Sequence, residues 1–118
     1  MRNDRDRLRD ILLSLDDIEA FVAGMTKSQF LQVETADRKT FRAVCNCIST
    51  LGEAIKNLSP AVTSKHQHVD WPGLAGMKDV VTHQYFQVQL EFLWNTIVHE
   101  LPALRTIIVA EISADQTP

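Results

Sequence analysis

The chain has 118 residues, a formal net charge of −3 and 45% hydrophobic residues, with four glycines and four prolines. One domain, residues 1–118, with its own hydrophobic core is expected at this length. The few glycines and prolines disfavour a turn-rich sheet protein, and no apolar stretch reaches the roughly 18 residues of a membrane span. The first residues alternate arginine and aspartate without the apolar segment of a secretory signal, so we expect a cytoplasmic protein with no membrane partner.

The basic side chains are unevenly distributed, and the net negative charge is not typical of a nucleic-acid binder. Residues 1–65 contain ten of the 12 lysines and arginines, whereas residues 66–118 contain only Lys78 and Arg105. Any contact with RNA must therefore be local, or must join the basic first half of one subunit to the second half. The arginines of residues 2–9 alternate with aspartates, which predicts a solvated, salt-bridged surface; contact with RNA or an acidic partner is the alternative.

Apolar residues recur at alternating steps of three and four in three long segments, which predicts three long helices. The first covers residues 3 to about 22, with Asn3 or Asp4 as its cap and Gly24 just beyond its end. The second runs from about residue 35 to 58 and ends before Ser59-Pro60. The third runs from residue 88 to 112, with a kink expected at Pro102.

Shorter helices are predicted between the long ones. Residues 26–32 begin with Thr26 and Gln29 at capping-box spacing, residues 60–70 contain one short helix, and a further helix runs from Pro72 to about residue 83. No segment alternates polar and apolar residues as a strand would. The expected fold is therefore all-α, an up-and-down bundle of four to six helices with short connections.

Two cysteines lie in the second long segment. Cys45 and Cys47 are two positions apart, about 200° around a helix axis, so they cannot pair with each other or bind one metal together there. We expect two buried, reduced thiols.

Chemically active side chains are concentrated in residues 77–86, whose sequence is MKDVVTHQYF. Lys78 and His83 are five positions apart, about 140° on a straight helix, so they would not face one another. Either the helix ends before His83, or a second subunit completes the site across a two-fold axis.

Two interpretations of these residues remain open. In a catalytic site, His83 would shuttle a proton, Lys78 would stabilise phosphate charge and the Tyr85 hydroxyl would orient an oxygen. Alternatively, Lys78 is a solvated charge, His83 a helix-end cap favoured by the helix dipole, and Tyr85 a packing residue. Glu53 is either paired, with a cation near the motif as the candidate partner, or a partly exposed charge at a helix edge.

The spacing of Lys78, His83 and Tyr85 resembles the R-x4-6-H-x-Y motif of the HEPN superfamily, in particular the HepT-like toxins paired with a minimal nucleotidyltransferase. Lys78 occupies the position of the family's arginine. The resemblance extends over roughly residues 4–110. Its further elements are Gly52-Glu53-Ala54, Trp71, Gly76-Met77, Asp79, Phe86 after the tyrosine, and Leu101-Pro102.

This resemblance implies an all-α homodimer with two motifs meeting in a cleft, and a metal-independent RNase that needs no cofactor. His83 would act on the ribose 2′-hydroxyl or the leaving oxygen, and Lys78 would contact the scissile phosphate, with Asp79 and Glu53 as supporting residues. Tyr85 would accept AMP from the nucleotidyltransferase antitoxin, which silences the toxin. Lysine keeps the charge of arginine but loses its two-pronged grip on phosphate, so weakened cleavage is expected.

Two classes of function are therefore kept. The chain is either a ribonuclease toxin, or a catalytically weak or inactive bundle that binds the nucleotidyltransferase as its substrate or as a substrate-binding subunit. Expression of the chain alone should arrest growth in the first case and have no effect in the second.

Overall fold

The computed structural model describes residues 3–83 and 87–115. All regular secondary structure in these ranges is helical, which confirms the all-α prediction. The helices are α1 (Asp4–Val22), α2 (Lys27–Leu31), α3 (Val33–Ala36), α4 (Arg38–Lys56), α5 (Pro60–Thr63), α6 (Trp71–Ala75), α7 (Met77–His83), α8 (Gln87–His99) and α9 (Leu101–Asp115). None of the helices within the described ranges is both long and apolar enough to cross a membrane.

The predicted caps of the first two helices are present. The Asn3 side chain accepts a hydrogen bond from the Asp6 backbone N–H at 3.0 Å, and Asp6 accepts one in return from the Asn3 backbone. Thr26 and Gln29 form the same reciprocal capping box at the start of α2. Gly24 follows α1 with a φ of 78°, a left-handed conformation that favours glycine.

Three predicted helices are each divided into two. The second long segment breaks at Asp37, whose side chain accepts hydrogen bonds from the backbone and hydroxyl of Thr40 and so starts α4 at Arg38. The motif helix breaks at Gly76, between α6 and α7. The last segment breaks at Glu100, two residues before Pro102, so the predicted interruption is a break between two helices and not a kink within one. Pro102 lies in the first turn of α9, where its missing N–H is not needed.

Helix α4 lies at the centre of the bundle and contacts α1, α3, α6 and α7. The start of α1 lies beside the end of α4, because Asp4 accepts hydrogen bonds from the backbone and hydroxyl of Ser59. The two helices are therefore antiparallel. Their facing sides carry the predicted apolar stripes, and the fully or nearly buried members include Leu8, Ile11, Leu15, Ile18, Val44, Ile48, Leu51 and Ile55.

The last two helices complete the bundle. Arg105, early in α9, forms ion pairs with Asp16 and Glu19, late in α1, so these helices are also antiparallel. Helix α8 packs on α2, where the rings of Phe30 and Trp94 lie 5.3 Å apart. Helix α8 also contacts α9. These connections enclose one hydrophobic core that includes Leu104 and Ile108 of α9.

The two cysteines are free thiols, as expected. Cys47 is buried in the core, whereas Cys45 is only half-buried, so the prediction that both are buried holds for one of them. Burial, and then the charge of Glu34, raises the pKa of Cys45 to about 11. Burial, and then the charge of Asp17, also raises the pKa of Cys47. Both thiols are therefore protonated at neutral pH and are poor nucleophiles.

Gly52 allows α4 to approach the α6–α7 segment more closely than any other residue would. A Cβ at this position would lie 2.8 Å from the carbonyl oxygen of Ala75 and 3.1 Å from the Cβ of Lys78. Because the obstacle includes backbone, a side chain here would force the two helices apart. The glycine of the Gly52-Glu53-Ala54 segment therefore determines how near α7 lies to α4.

Candidate active site

Helix α7 carries the motif and is held against α4 by its apolar side. Met77 and Val81, four positions apart, are 1% and 4% exposed. Residues at this spacing share one face of a helix. Lys78 and Thr82 lie next to them, and the Thr82 hydroxyl donates a hydrogen bond to the Lys78 carbonyl oxygen at 2.7 Å. The backbone position of Lys78 is therefore determined by packing rather than by the motif residues themselves.

Lys78 and Glu53 form an ion pair across the contact between α7 and α4. The Lys78 Nζ lies 3.0 Å from Glu53 Oε2, and the side chains are 42% and 46% exposed. Asn57 donates a hydrogen bond to the other oxygen of Glu53 at 3.3 Å. Glu53 is therefore both paired and partly exposed, a combination of the two alternatives derived from the sequence.

Lys78 lowers the pKa of the Glu53 carboxyl group. The hydrogen bond from Lys78 is the largest cause, followed by the lysine's charge and the hydrogen bond from Asn57. Glu53 is therefore an anion at neutral pH and holds the Lys78 ammonium group in place, with further N–H donors of the lysine available to a ligand.

The remaining motif residues are only partly described. His83 is the last residue of α7, so the helix does not end before it and the angle of about 140° from Lys78 applies. The side chain of His83 lies outside the described parts of the structure. Tyr85 falls in the interval 84–86, also outside the described residues, so its predicted role remains a prediction.

Asp79 does not join the ion pair. It is exposed on α7, and its carboxylate forms no hydrogen bond or ion pair with any described residue; only its backbone N–H bonds to the Gly76 carbonyl oxygen, at 3.1 Å. Asp79 is thus near Lys78 in sequence but contributes no contact to it.

A shallow depression of about 280 Å³ surrounds the Lys78–Glu53 pair. Helix α1 contributes Arg7 and Asp10 to its lining, and α4 contributes Ser49 and Thr50. The sequence did not single out these four residues individually. The arginine-rich start of the chain was the available signal, and the structure brings one of its arginines, Arg7, to the motif.

Two further histidines, His66 and His68, lie between α5 and α6. His66 Nε2 lies 2.7 Å from Glu111 Oε2, and the other oxygen of Glu111, Oε1, accepts a hydrogen bond from Lys65 at 2.9 Å. The His66 and His68 rings are 6.3 Å apart. Within residues 3–83 and 87–115, no three histidine, cysteine, aspartate or glutamate side chains are grouped as metal ligands would be.

The Glu53 titration tests the ion pair. In the parent chain, the carboxyl midpoint measured by carbon NMR should lie below that of an ordinary glutamate, about 4.3, and Lys78→Gln should raise it. Because the folded pKa is lowered, the stabilisation is complete above the unfolded pKa and is lost as pH falls through the folded pKa. Acid should therefore destabilise the parent more than Lys78→Gln. Lys39→Gln is the matched control, and an equal rise in that variant would contradict the pair.

Known proteins similar to this chain are named as ribonucleases. A profile of the family described as "Ribonuclease HepT-like" matches residues 11–111. A Methanocaldococcus jannaschii protein named "Putative RNase" is 36% identical over 95 residues, covering 80% of this chain and 75% of the relative. A "Probable ribonuclease HepT" of Thermococcus cleftensis is 33% identical over 104 residues, covering 88% of this chain and 91% of the relative.

A third relative, also named "Putative RNase", comes from Caldanaerobacter subterraneus subsp. tengcongensis and is 34% identical over 104 residues, covering 88% of this chain and 89% of the relative. No solved structure matches the chain significantly. The family profile spans most of the helical bundle, from α1 into α9, and includes the Lys78–Glu53 pair. The chain therefore belongs to the HepT-like ribonuclease family of the HEPN superfamily.

Proposed function

We propose that this protein is the ribonuclease toxin of a toxin–antitoxin pair, and that it cleaves RNA without a metal ion at Lys78, His83 and Tyr85. Family membership supports RNA cleavage. The observation that carries the site assignment is the Lys78–Glu53 ion pair, which holds a cation on the same short helix that ends at His83. The antitoxin is a minimal nucleotidyltransferase that transfers AMP to Tyr85, and both proteins act in the cytoplasm.

In the proposed reaction, the RNA supplies its own nucleophile. His83 either takes the proton of a ribose 2′-hydroxyl while solvent protonates the leaving 5′-oxygen, or protonates that oxygen while solvent takes the 2′ proton. Imidazole suits either step because its ordinary pKa is close to neutral. The 2′-oxygen bonds to phosphorus as the bond to the 5′-oxygen breaks, giving a 2′,3′-cyclic phosphate and a 5′-hydroxyl. Lys78 contacts the phosphate oxygens, where negative charge develops.

The alternative is a catalytically weak or inactive protein that binds the nucleotidyltransferase and serves as its substrate or substrate-binding subunit. The observation that favours it is that Lys78 replaces the arginine of the family motif and already pairs with Glu53. A phosphate must therefore share the ammonium group with a carboxylate, which weakens the contact.

Replacement of His83 tests the catalytic assignment. His83→Ala should reduce cleavage by the purified chain by roughly 10²-fold or more, because proton transfer is lost. The assay measures the rate of cleavage of labelled RNA, with circular dichroism to show that the helices persist. His66→Ala is the matched control, since His66 pairs with Glu111 away from the motif. Undiminished cleavage by His83→Ala, or loss of the parent's cleavage on addition of a chelator, would contradict the proposed metal-independent mechanism.

Replacement of Lys78 tests the phosphate contact. Lys78→Arg should raise cleavage or toxicity, because a guanidinium has five donors and can hold phosphate with two of them while still bonding Glu53. Lys78→Ala should lower it. If Lys78→Ala cleaves RNA like the parent and Lys78→Arg gains nothing, the lysine is a surface charge outside the site.

A homodimer would bring the separated motif residues together. Lys78 and His83 lie on different sides of α7, so we propose that the two motifs of a two-fold dimer line one cleft. Light scattering at micromolar concentration should give twice the mass of the chain. Mixing the weakened Lys78→Ala and His83→Ala chains should raise the activity above that of either variant alone if one cleft uses both subunits. A monomer under these conditions argues against the shared cleft.

Modification of Tyr85 tests the antitoxin assignment. Incubation with the cognate nucleotidyltransferase and ATP should add one or more AMP units of mass at Tyr85 and abolish toxicity, because the added phosphodiester occupies and repels the place of an RNA phosphate. Tyr85 is the only tyrosine in the chain, so the Tyr85→Phe variant should not be labelled. Mass spectrometry that finds the label on another residue would show that the target is assigned wrongly.

A further inference from the structure

A groove of about 640 Å³ lies along the first half of α4. Its floor carries Arg38, Arg42 and Asn46, which are exposed and spaced four residues apart, so they form one stripe on the helix. Glu34 of α3 lies on one wall, and Thr82 of α7 lies on the other. We call this feature the α4 groove.

The α4 groove leads towards the candidate active site. Ser49 lines both the α4 groove and the depression that contains Lys78 and Glu53, so the two are adjacent on α4. From Arg38 to Glu53 the helix rises about 22 Å, at 1.5 Å per residue. The wall formed by α7 ends one residue after Thr82, at His83. A ligand lying in the α4 groove would therefore extend towards the motif over a length of several nucleotides.

The two arginines of the α4 groove are available to bind an anion. Neither Arg38 nor Arg42 forms an ion pair or a side-chain hydrogen bond within the described parts of the chain, whereas Arg105 is paired twice. Glu34 is the one carboxylate among the described residues that line the groove, and it pairs with neither arginine. A guanidinium group with all its donors free suits the two-pronged binding of phosphate oxygens.

The position of these arginines is unfavourable for the helix that carries them. Arg38 and Lys39 lie in the first turn of α4, where the helix dipole disfavours cations. Arg38 and Arg42 are four positions apart, a spacing at which like charges repel. Local choices that oppose the fold occur preferentially where function requires them. The stripe therefore points to a ligand rather than to stabilisation.

We propose that the α4 groove binds the phosphate backbone of a single-stranded RNA segment through Arg38 and Arg42, and directs it to the motif on α7. This inference rests on the proposed ribonuclease function and names the surface that binds its substrate. Phe41, a half-buried side chain, also lines the groove and adds apolar surface that suits the face of an unpaired base. The stripe also accounts for the uneven distribution of basic residues along the sequence. Basic residues from the first half of the chain lie beside the motif helix in the second half of the chain.

The test measures binding separately from cleavage. The probe is a fluorescent, 2′-O-methylated RNA of about 20 nucleotides, longer than the sites of most single-strand-binding folds, which lacks the 2′-hydroxyl needed for cleavage. Anisotropy is measured for the parent chain, for the double variant Arg38→Ala/Arg42→Ala, and for the control Arg9→Ala/Lys39→Ala. The control removes the same charge from exposed helix positions that do not line the groove.

The Arg38→Ala/Arg42→Ala variant should bind about tenfold more weakly or worse. The slope of log K against log salt should become shallower by about 1.4, the value for two phosphate contacts with a single strand. Its thermal stability should rise, since alanine removes the repulsion within α4. The control should keep most of the binding and the parent's salt slope.

Three results would overturn the inference. Binding by the arginine variant equal to the parent excludes the groove, and an equal loss in both double variants shows attraction by net charge alone. A change of the oligomeric state in the arginine variant, measured by light scattering, shows instead that these arginines contact a protein. None of these results decides the proposed function. That function is tested separately, by whether the parent chain cleaves unmodified RNA and whether this cleavage depends on His83.

Discussion

The close approach of α4 and the α6–α7 segment at Gly52 determines the geometry of the candidate site. With no side chain at this position, the Ala75 carbonyl oxygen and the Cβ of Lys78 lie directly against α4. Glu53, the next residue, is then within hydrogen-bond distance of Lys78. Ala54 completes the contact as a small, buried residue. The Gly52-Glu53-Ala54 segment thus combines a packing requirement with an electrostatic one, and the two cannot be changed independently.

The ion pair also determines how much of the Lys78 charge is available to a ligand. An ammonium group is a compact charge with three donors, and Glu53 uses one of them. The pair keeps the cation in a defined place but reduces the positive charge offered to a phosphate. Additional positive charge must then come from elsewhere. Arg7 borders the same depression, and Arg38 and Arg42 lie along the adjoining groove.

Charged contacts between distant parts of the chain hold the remaining helices around α4. Lys27 of α2 pairs with Glu91 of α8 at 2.8 Å, and Lys65 and His66 pair with Glu111 of α9. The Lys27–Glu91 pair is about half exposed, and a pair so exposed contributes little to stability by itself. Burial of the apolar stripes of α1, α4 and α9 is the main stabilising contribution. The ion pairs select which ends of the helices meet.

The sequence by itself determined the long helices and the first two caps, because these depend on local spacing. Apolar steps of three and four predicted α1 and α4 within a few residues, and Asn3, Gly24 and Thr26 act as their spacing indicated. Predictions of a continuous helix from local spacing were wrong where a side chain or the backbone competes with helix continuation, as at Asp37, Gly76 and Glu100.

Only the tertiary structure decided what surrounds the motif. That Glu53 pairs with Lys78, that Asp79 does not, and that Arg38 and Arg42 line a groove ending at α7 all depend on how α4 and α7 cross. Residues 25 positions apart in the sequence, such as Glu53 and Lys78, meet because Gly52 lets two helices touch. Helical periodicity specifies which side of each helix is buried, but the distance and direction between two helices are determined by the side chains of both at the point of contact.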